Sequence, residues 1–111
     1  MILLVLKLLV AHALCDYPLQ GDFLAKAKNP RAPIPEVPWA FPMAAHAAIH
    51  GGAVAFCTGS PLLGVLEAAL HAVIDYEKCV GRFTFAQDQI AHVMCKVAWA
   101  LMAPVLVEIG V

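Results

Sequence analysis

Histidines and carboxylates recur at a spacing of four along this chain. His12, Asp16 and Gln20 form one series, and His46 and His50 a second. Glu67, His71 and Asp75 form a third, and Asp88, His92 and Lys96 a fourth. Residues four apart share one face of a helix. Each series therefore reads as one polar stripe on an otherwise apolar helix, and every stripe contains histidine. Neutral imidazole and carboxylate together suit a divalent ion such as Zn, Fe(II) or Mn, with no thiolate required. Helical bundles build such centres from pairs that project inward from facing helices.

Depth sharpens the pattern. Counted inward from one end of the predicted helices, Asp16, His46, Asp75 and Asp88 lie within the first turn. His12, His50, His71 and His92 lie one turn deeper, at about 1.5 Å of rise per residue. Lys7, Glu67 and Lys96 fall deeper again, and Glu67 is expected to pair with Lys96. The ligand set read from this arrangement is His12, His46, His71, Asp75 and His92. Asp16 and Asp88 are the carboxylates left for proton transfer, and His50 reads as an orienting partner of the ligands. A hydrogen-bonded polar network or a proton path without metal would use the same residues.

The elements that must position these groups follow from composition. The chain has 111 residues, of which 62% are hydrophobic and 14% charged. That length allows one domain, residues 1–111. Seven Lys+Arg against eight Asp+Glu give a net charge of -1, so nothing here attracts a nucleic-acid backbone. No β alternation of useful length occurs. The reading is all-α, with four apolar segments at about 2–17, 42–57, 61–80 and 84–109. Pro18 stops the first. Ser60 caps the third with Pro61 at its first position, and Gly81 ends it. Thr84 and Gln87 make a capping box for the fourth, in which Pro104 predicts a kink. Ala44, Ala48 and Gly52, with Ala47, Gly51 and Ala55, let the second segment pack closely.

Residues 19–28 read as a short amphipathic helix in an interface, with Lys26 and Lys28 toward water or headgroups. Pro30, Pro33, Pro35 and Pro38 predict an extended linker after it. Trp39 and Phe41 sit where an aromatic belt would. Residues 1–14 lack a positive n-region, and Lys7 interrupts their apolar run, so they read as a retained helix rather than a cleaved signal. The four cysteines, Cys15, Cys57, Cys79 and Cys95, form no C-x-x-C pair and read as small buried hydrophobes.

A span needs about 20 apolar residues. Segments three and four reach that length, and segments one and two fall a little short. Five of the seven basic residues, Lys26, Lys28, Arg31, Lys78 and Arg82, lie on the same side of an up-down bundle. The positive-inside rule then puts both termini outside and the first and third connections in the cytoplasm. The expected architecture is an up-down four-helix transmembrane bundle in the inner (cytoplasmic) membrane. A soluble bundle is disfavoured because these helices mostly lack a polar outer face.

The motifs H-A-L-C-D-Y-P-L-Q at 12–20, His46, H-A-V-I-D-Y at 71–76 with Lys78, and D-Q-I-A-H at 88–92 resemble a family of short membrane proteins from bacteria and phages. That family is catalogued as domain of unknown function 3307. The resemblance spans nearly the whole chain. It implies a helical integral membrane protein and carries no established activity. It singles out His12, Asp16, Gln20, His46, His71, Asp75, Asp88, Gln89 and His92. Gln20, His50, Glu67, Gln89 and Lys96 are then the supporting residues around the ligands.

Three functions fit. A metal-dependent hydrolase would act on a lipid or lipid-linked substrate, the membrane lipid being its partner. A metal or proton transporter needs a polar route to the far face, where the segments are almost wholly apolar. A non-catalytic membrane interaction protein would use the polar layers for folding specificity alone. Oligomeric state is not legible.

Overall fold

A computed structural model describes residues 1–111. It is all-α, with α1 at Ile2–Asp16, α2 at Gly21–Ala27, α3 at Ala40–Thr58, α4 at Pro61–Cys79 and α5 at Phe85–Glu108. The helix ends have local causes. Pro18 cannot continue α1, and Gly21 (φ 61°) starts α2 after a bend of 82°. Gly59 closes α3 in the left-handed conformation, φ 76°, with its N–H donating to Ala55 O at 2.8 Å. Ser60 Oγ accepts from Leu63 N–H at the start of α4, and Pro61 follows it. Thr84 and Gln87 form both halves of a capping box on α5. α5 runs on through Pro104 to Glu108.

The short connections at Gly59–Ser60 and Val80–Thr84 make α3, α4 and α5 antiparallel neighbours. α1 packs against α3 and α5, and α4 packs against the same two, so four helices close into a ring. Gly51 and Gly64 set the tightest contact. A Cβ on Gly51 would stand 2.5 Å from Gly64 O, and one on Gly64 would stand 2.7 Å from Gly51 O. Of the six small residues in α3, Ala47 and Gly51 are buried, whereas Ala44, Ala48 and Gly52 face outward.

The interior has two halves. Leu8, Val54, Leu63, Trp99, Ala100 and Ala103 fill one half as an apolar core. The other half holds the His and Asp stripes. Eleven buried residues are hydrophobic and eleven are polar or charged. The outside is the reverse: Phe56 is 91% exposed, and Leu3, Val10, Val65, Met94 and Leu101 are each more than half exposed. Water-soluble bundles bury the apolar stripe and expose the polar one.

Three expectations change. The proline segment is not extended. Val37 N–H donates back to Ile34 O at 3.1 Å, and Glu36 takes φ 63° between them. Pro35 presets the second position of that tight turn, and prolines at this spacing can terminate a turn as readily as extend a chain. α3 starts at Ala40, before Pro42, and reaches 19 residues. Pro42 fits there because first-turn N–H groups have no helical partner. Two helices, α3 and α5, are long and apolar enough to cross a membrane. α4 has the length, also 19 residues, but Glu67, Asp75, Glu77 and Lys78 lower its apolarity. α1 reaches a span only together with α2, across the 82° bend.

The Gly51–Gly64 contact generates the first prediction. Gly64→Ala should lower the stability of the purified protein by about 1–3 kcal/mol, the usual cost of overpacking. Gly52→Ala, whose added methyl meets nothing within 4 Å, is the control and should change little. Equal melting temperatures for the two variants would contradict the close approach.

Candidate metal centre

Each helix of the ring delivers its stripe to one half of the interior. α1 brings His12 and Asp16, α3 brings His46 and His50, α4 brings Glu67, His71 and Asp75, and α5 brings Asp88, His92 and Lys96. His46 and His71 are fully buried, and His50, His92, Glu67, Asp88 and Lys96 are each 1% exposed. Asp16 sits at the centre of one group. Its Oδ1 lies 3.3 Å from His46 Nε2 and 3.0 Å from His50 Nε2, and its Oδ2 lies 3.2 Å from His12 Nε2. Asp75 centres a second. Its Oδ1 lies 3.2 Å from His92 Nε2, and its Oδ2 lies 3.4 Å from His46 Nε2. The imidazoles stack: His71 lies between His50 and His92, with ring centroids 3.6 and 4.1 Å away.

Three sets of donor atoms converge closely enough to hold an ion. They are Asp16/His46/His50/His71, His12/His71/His92 and Asp75/Asp88/His92, each with its donor atoms within 4.8 Å of one another. His71 belongs to the first two and His92 to the last two. The sets therefore form one continuous cluster.

Several buried donor atoms of the cluster have no hydrogen-bond partner. His50 Nε2 and His12 Nε2 lie within 3.2 Å of Asp16 oxygens, yet neither meets them along a hydrogen-bonding direction. Both nitrogens lack a hydrogen bond, as do His12 Nδ1, His46 Nδ1, His92 Nδ1 and Asp88 Oδ1. Buried polar atoms are nearly always satisfied, and leaving one unpaired costs about 1–3 kcal/mol. The donor set is imidazole and carboxylate alone, which fits Zn, Fe(II) or Mn. The four cysteines are all free, and none joins these sets.

A second tier of contacts holds these side chains in place. Glu67 Oε1 lies 3.3 Å from His71 Nδ1, so the imidazole donates there and turns Nε2 into the cluster. Metal-binding histidines are commonly oriented by a carboxylate in this way. Glu67 is itself held by Lys96 and by Trp99, whose indole N–H donates to Oε2 at 2.6 Å. His71 Nε2 and His46 Nε2 face each other at 3.1 Å. Gln89 donates to Asp88 Oδ2 at 3.0 Å and Asp16 Oδ2 at 3.3 Å. Gln20 Nε2 donates to the Asp16 backbone carbonyl at 2.9 Å, closing the end of α1.

The cluster gains and loses members relative to the sequence reading. Lys7 is exposed and lines an apolar groove beside Leu3, Leu6 and Phe56, so the deep ionic layer consists of Glu67 and Lys96 only. The matched depth was right for α4 and α5, but the rotation of α1 turns Lys7 outward and Leu8 inward. Lys28 does not face water or headgroups. It is 7% exposed and forms an ion pair with Asp75. The bend after α1 folds α2 back over the cluster and delivers Lys28 from its C-cap. Trp99 was also missed. It lies three residues beyond Lys96 on the same face of α5, and that spacing was the available signal.

Charge explains Lys28. Asp16, Glu67, Asp75 and Asp88 place four carboxylates in or beside the cluster, and Lys96 answers only Glu67. Lys28 answers Asp75, and Lys78 stands 3.7 Å from Asp88 Oδ2. With neutral imidazoles, one negative charge is left over, and a divalent cation is readily accommodated.

The orienting role of Glu67 can be tested. Glu67→Gln should weaken binding of Zn or Mn by about 10–100-fold while the helical content is kept, as for other outer partners of metal ligands. Unchanged affinity in a folded Glu67→Gln protein would show that His71 does not depend on it.

A family model described as Protein of unknown function (DUF3307) matches residues 4–108. No curated protein and no solved structure matches the chain. The matched stretch contains every residue of the cluster and all of the helical ring except Ile2 and Leu3. The chain belongs to the DUF3307 family.

Proposed function

We propose that this protein is a multi-pass membrane protein carrying a divalent-metal centre, and that it hydrolyses an ester bond in a lipid or lipid-linked substrate. The observation that carries the reading is the convergence of imidazoles and carboxylates from four helices, with buried nitrogens left unpaired. His12, His46, His71, His92 and Asp75 are the metal ligands, and Asp16 joins them because His46 and His50 crowd one of its oxygens. A bound Zn, Fe(II) or Mn ion supplies Lewis acidity, polarising the scissile group and acidifying water.

The protein's own groups do the rest. Asp88 is the general base of this reading. Its Oδ1 has no hydrogen bond, and it lines a small opening at the polar end of the ring. It would take a proton from water as the water oxygen bonds to the ester centre, and return it to the leaving oxygen as that bond breaks. Gln89 steadies the other Asp88 oxygen. Glu67 holds His71 in its ligating orientation.

The membrane placement rests on the inverted distribution of side chains. Ionisable groups at depth in a membrane face the bundle interior and partner one another. Here buried His, Asp, Glu and Lys are surrounded by an exposed surface of Leu, Val, Phe and Met. The four-helix ring then spans the inner membrane with both termini outside. α2 lies near the cytoplasmic surface, with Leu19 and Phe23 exposed at 58% and 59% for contact with lipid. Charged residues in α4 are tolerated because Glu67 and Asp75 point inward, while Glu77 and Lys78 sit in its last turn. Transport fits less well. The apolar half, closed by Leu8, Val54, Leu63 and Trp99, leaves the cluster open at one end only.

Metal content of the purified protein tests the reading. The wild type should carry at least one divalent ion per chain after loading, and His71→Ala/His92→Ala should lose it together with ester hydrolysis. A folded wild type that retains no metal would overturn the proposal.

A further inference from the structure

The cluster opens between the α1–α2 bend, the end of α4 and the start of α5. Two cavities meet there, of about 70 and about 250 Å³. Gln20, Lys28, Asp75 and Lys78 line both. Asn29 borders the larger and Gln89 the smaller. The larger has the volume of about eight waters, enough for a compact polar group and the start of a substituent.

The chemistry of this rim is one-sided once the ligands are set apart. Asp16, Asp75 and Asp88 line the smaller opening too; in the proposed state Asp16 and Asp75 are taken by the ion and Asp88 is the base. What remains at the mouth is two ammonium groups and three side-chain amides. Lys28 is 7% exposed, and Lys78 has a side chain 39% exposed that also lies over the Phe85 ring at 5.1 Å. Both lysines are tethered only by Asp75 and Asp88. A carboxylic ester develops negative charge on one carbonyl oxygen, which a single cation can meet. A tetrahedral group with several anionic oxygens can meet both lysines and the amides at once.

We propose that the substrate group is a phosphate ester, seated at this mouth with Lys28 and Lys78 on its non-bridging oxygens. This rests on the metal-hydrolase reading and adds the class of ester to it. The aromatic pair Trp39 and Tyr76, with ring centroids 5.6 Å apart, sits at the same end of α3 and α4. The mouth therefore lies at the level where phosphate headgroups meet water, and it admits a phosphate ester from a lipid or from solution.

The test uses the full chain in detergent, loaded with Mn and counted for metal before anything else is added. Inorganic phosphate is then titrated by calorimetry. Saturable binding is expected, weakened about tenfold or more in Lys78→Gln, with the metal count unchanged, since one charge-assisted contact is lost. Lys78 is half-exposed, so this variant is chosen over Lys28→Gln, which strips a buried partner from Asp75. Phosphatidic acid in mixed micelles should compete with phosphate better than glycerol phosphate does if the ester is lipid-borne, and worse if it is soluble. Competition by either supports the class. A metal-loaded protein that binds no phosphate, or binds it equally in Lys78→Gln, overturns the phosphate proposal and leaves the metal centre standing. A protein that takes up no metal overturns both.

Discussion

Asp75 is the group on which the rest of the structure depends. Its carboxylate is nearly inaccessible, with a side chain 4% exposed, and it is surrounded by Lys28, His46, His71 and His92. Moving a carboxylate out of water costs several kcal/mol even after relaxation, and it is tolerated only with close partners. Those partners come from the end of α2 and from three helices of the ring. The polar half of the interior can form only if α3, α4 and α5 are held in register and α2 folds back across the top. The Gly51–Gly64 contact, the capped helix starts and the bend after Asp16 all serve that register.

The division of the interior carries the functional argument. One half is filled by Leu8, Leu63, Trp99 and small residues, and it leaves no polar route onward. The other concentrates ionisable groups beneath a mouth framed by two lysines. A network kept for folding specificity alone would be expected to close its hydrogen bonds, because a half-satisfied buried network is worse than an apolar one. This one leaves imidazole nitrogens of His12, His46, His50 and His92 unpaired. That imbalance is the observation on which the proposed metal centre rests.

Much of this was legible in the sequence, for a local reason. A spacing of four places residues on one helix face whatever the tertiary structure does, so the stripes from His12 to His92 could be read directly. Ser60–Pro61, Gly59 and the Thr84–Gln87 box act through nearest neighbours and marked their helix ends equally well. What the sequence did not carry was rotation and return. Lys7 and Leu8 are adjacent, and only packing decides which of them turns inward. Lys28 looks like a solvated residue of an amphipathic helix until the 82° bend brings it over Asp75. The proline segment folds at Pro35–Glu36 because Glu36 accepts a left-handed conformation that composition alone disfavours. The count of membrane spans was likewise less plain than the apolar runs implied, since the charges that build the site lie in the helices that would have to cross.

X-ray absorption at the metal edge of the loaded protein tests the central claim most directly. A centre built from His12, His46, His71, His92 and the aspartates predicts a first shell of nitrogen and oxygen at about 2.0–2.2 Å, with the outer-shell pattern of several imidazoles. A sulfur shell near ~2.3 Å, or a metal signal without imidazole scattering, would place the ion elsewhere and contradict the account.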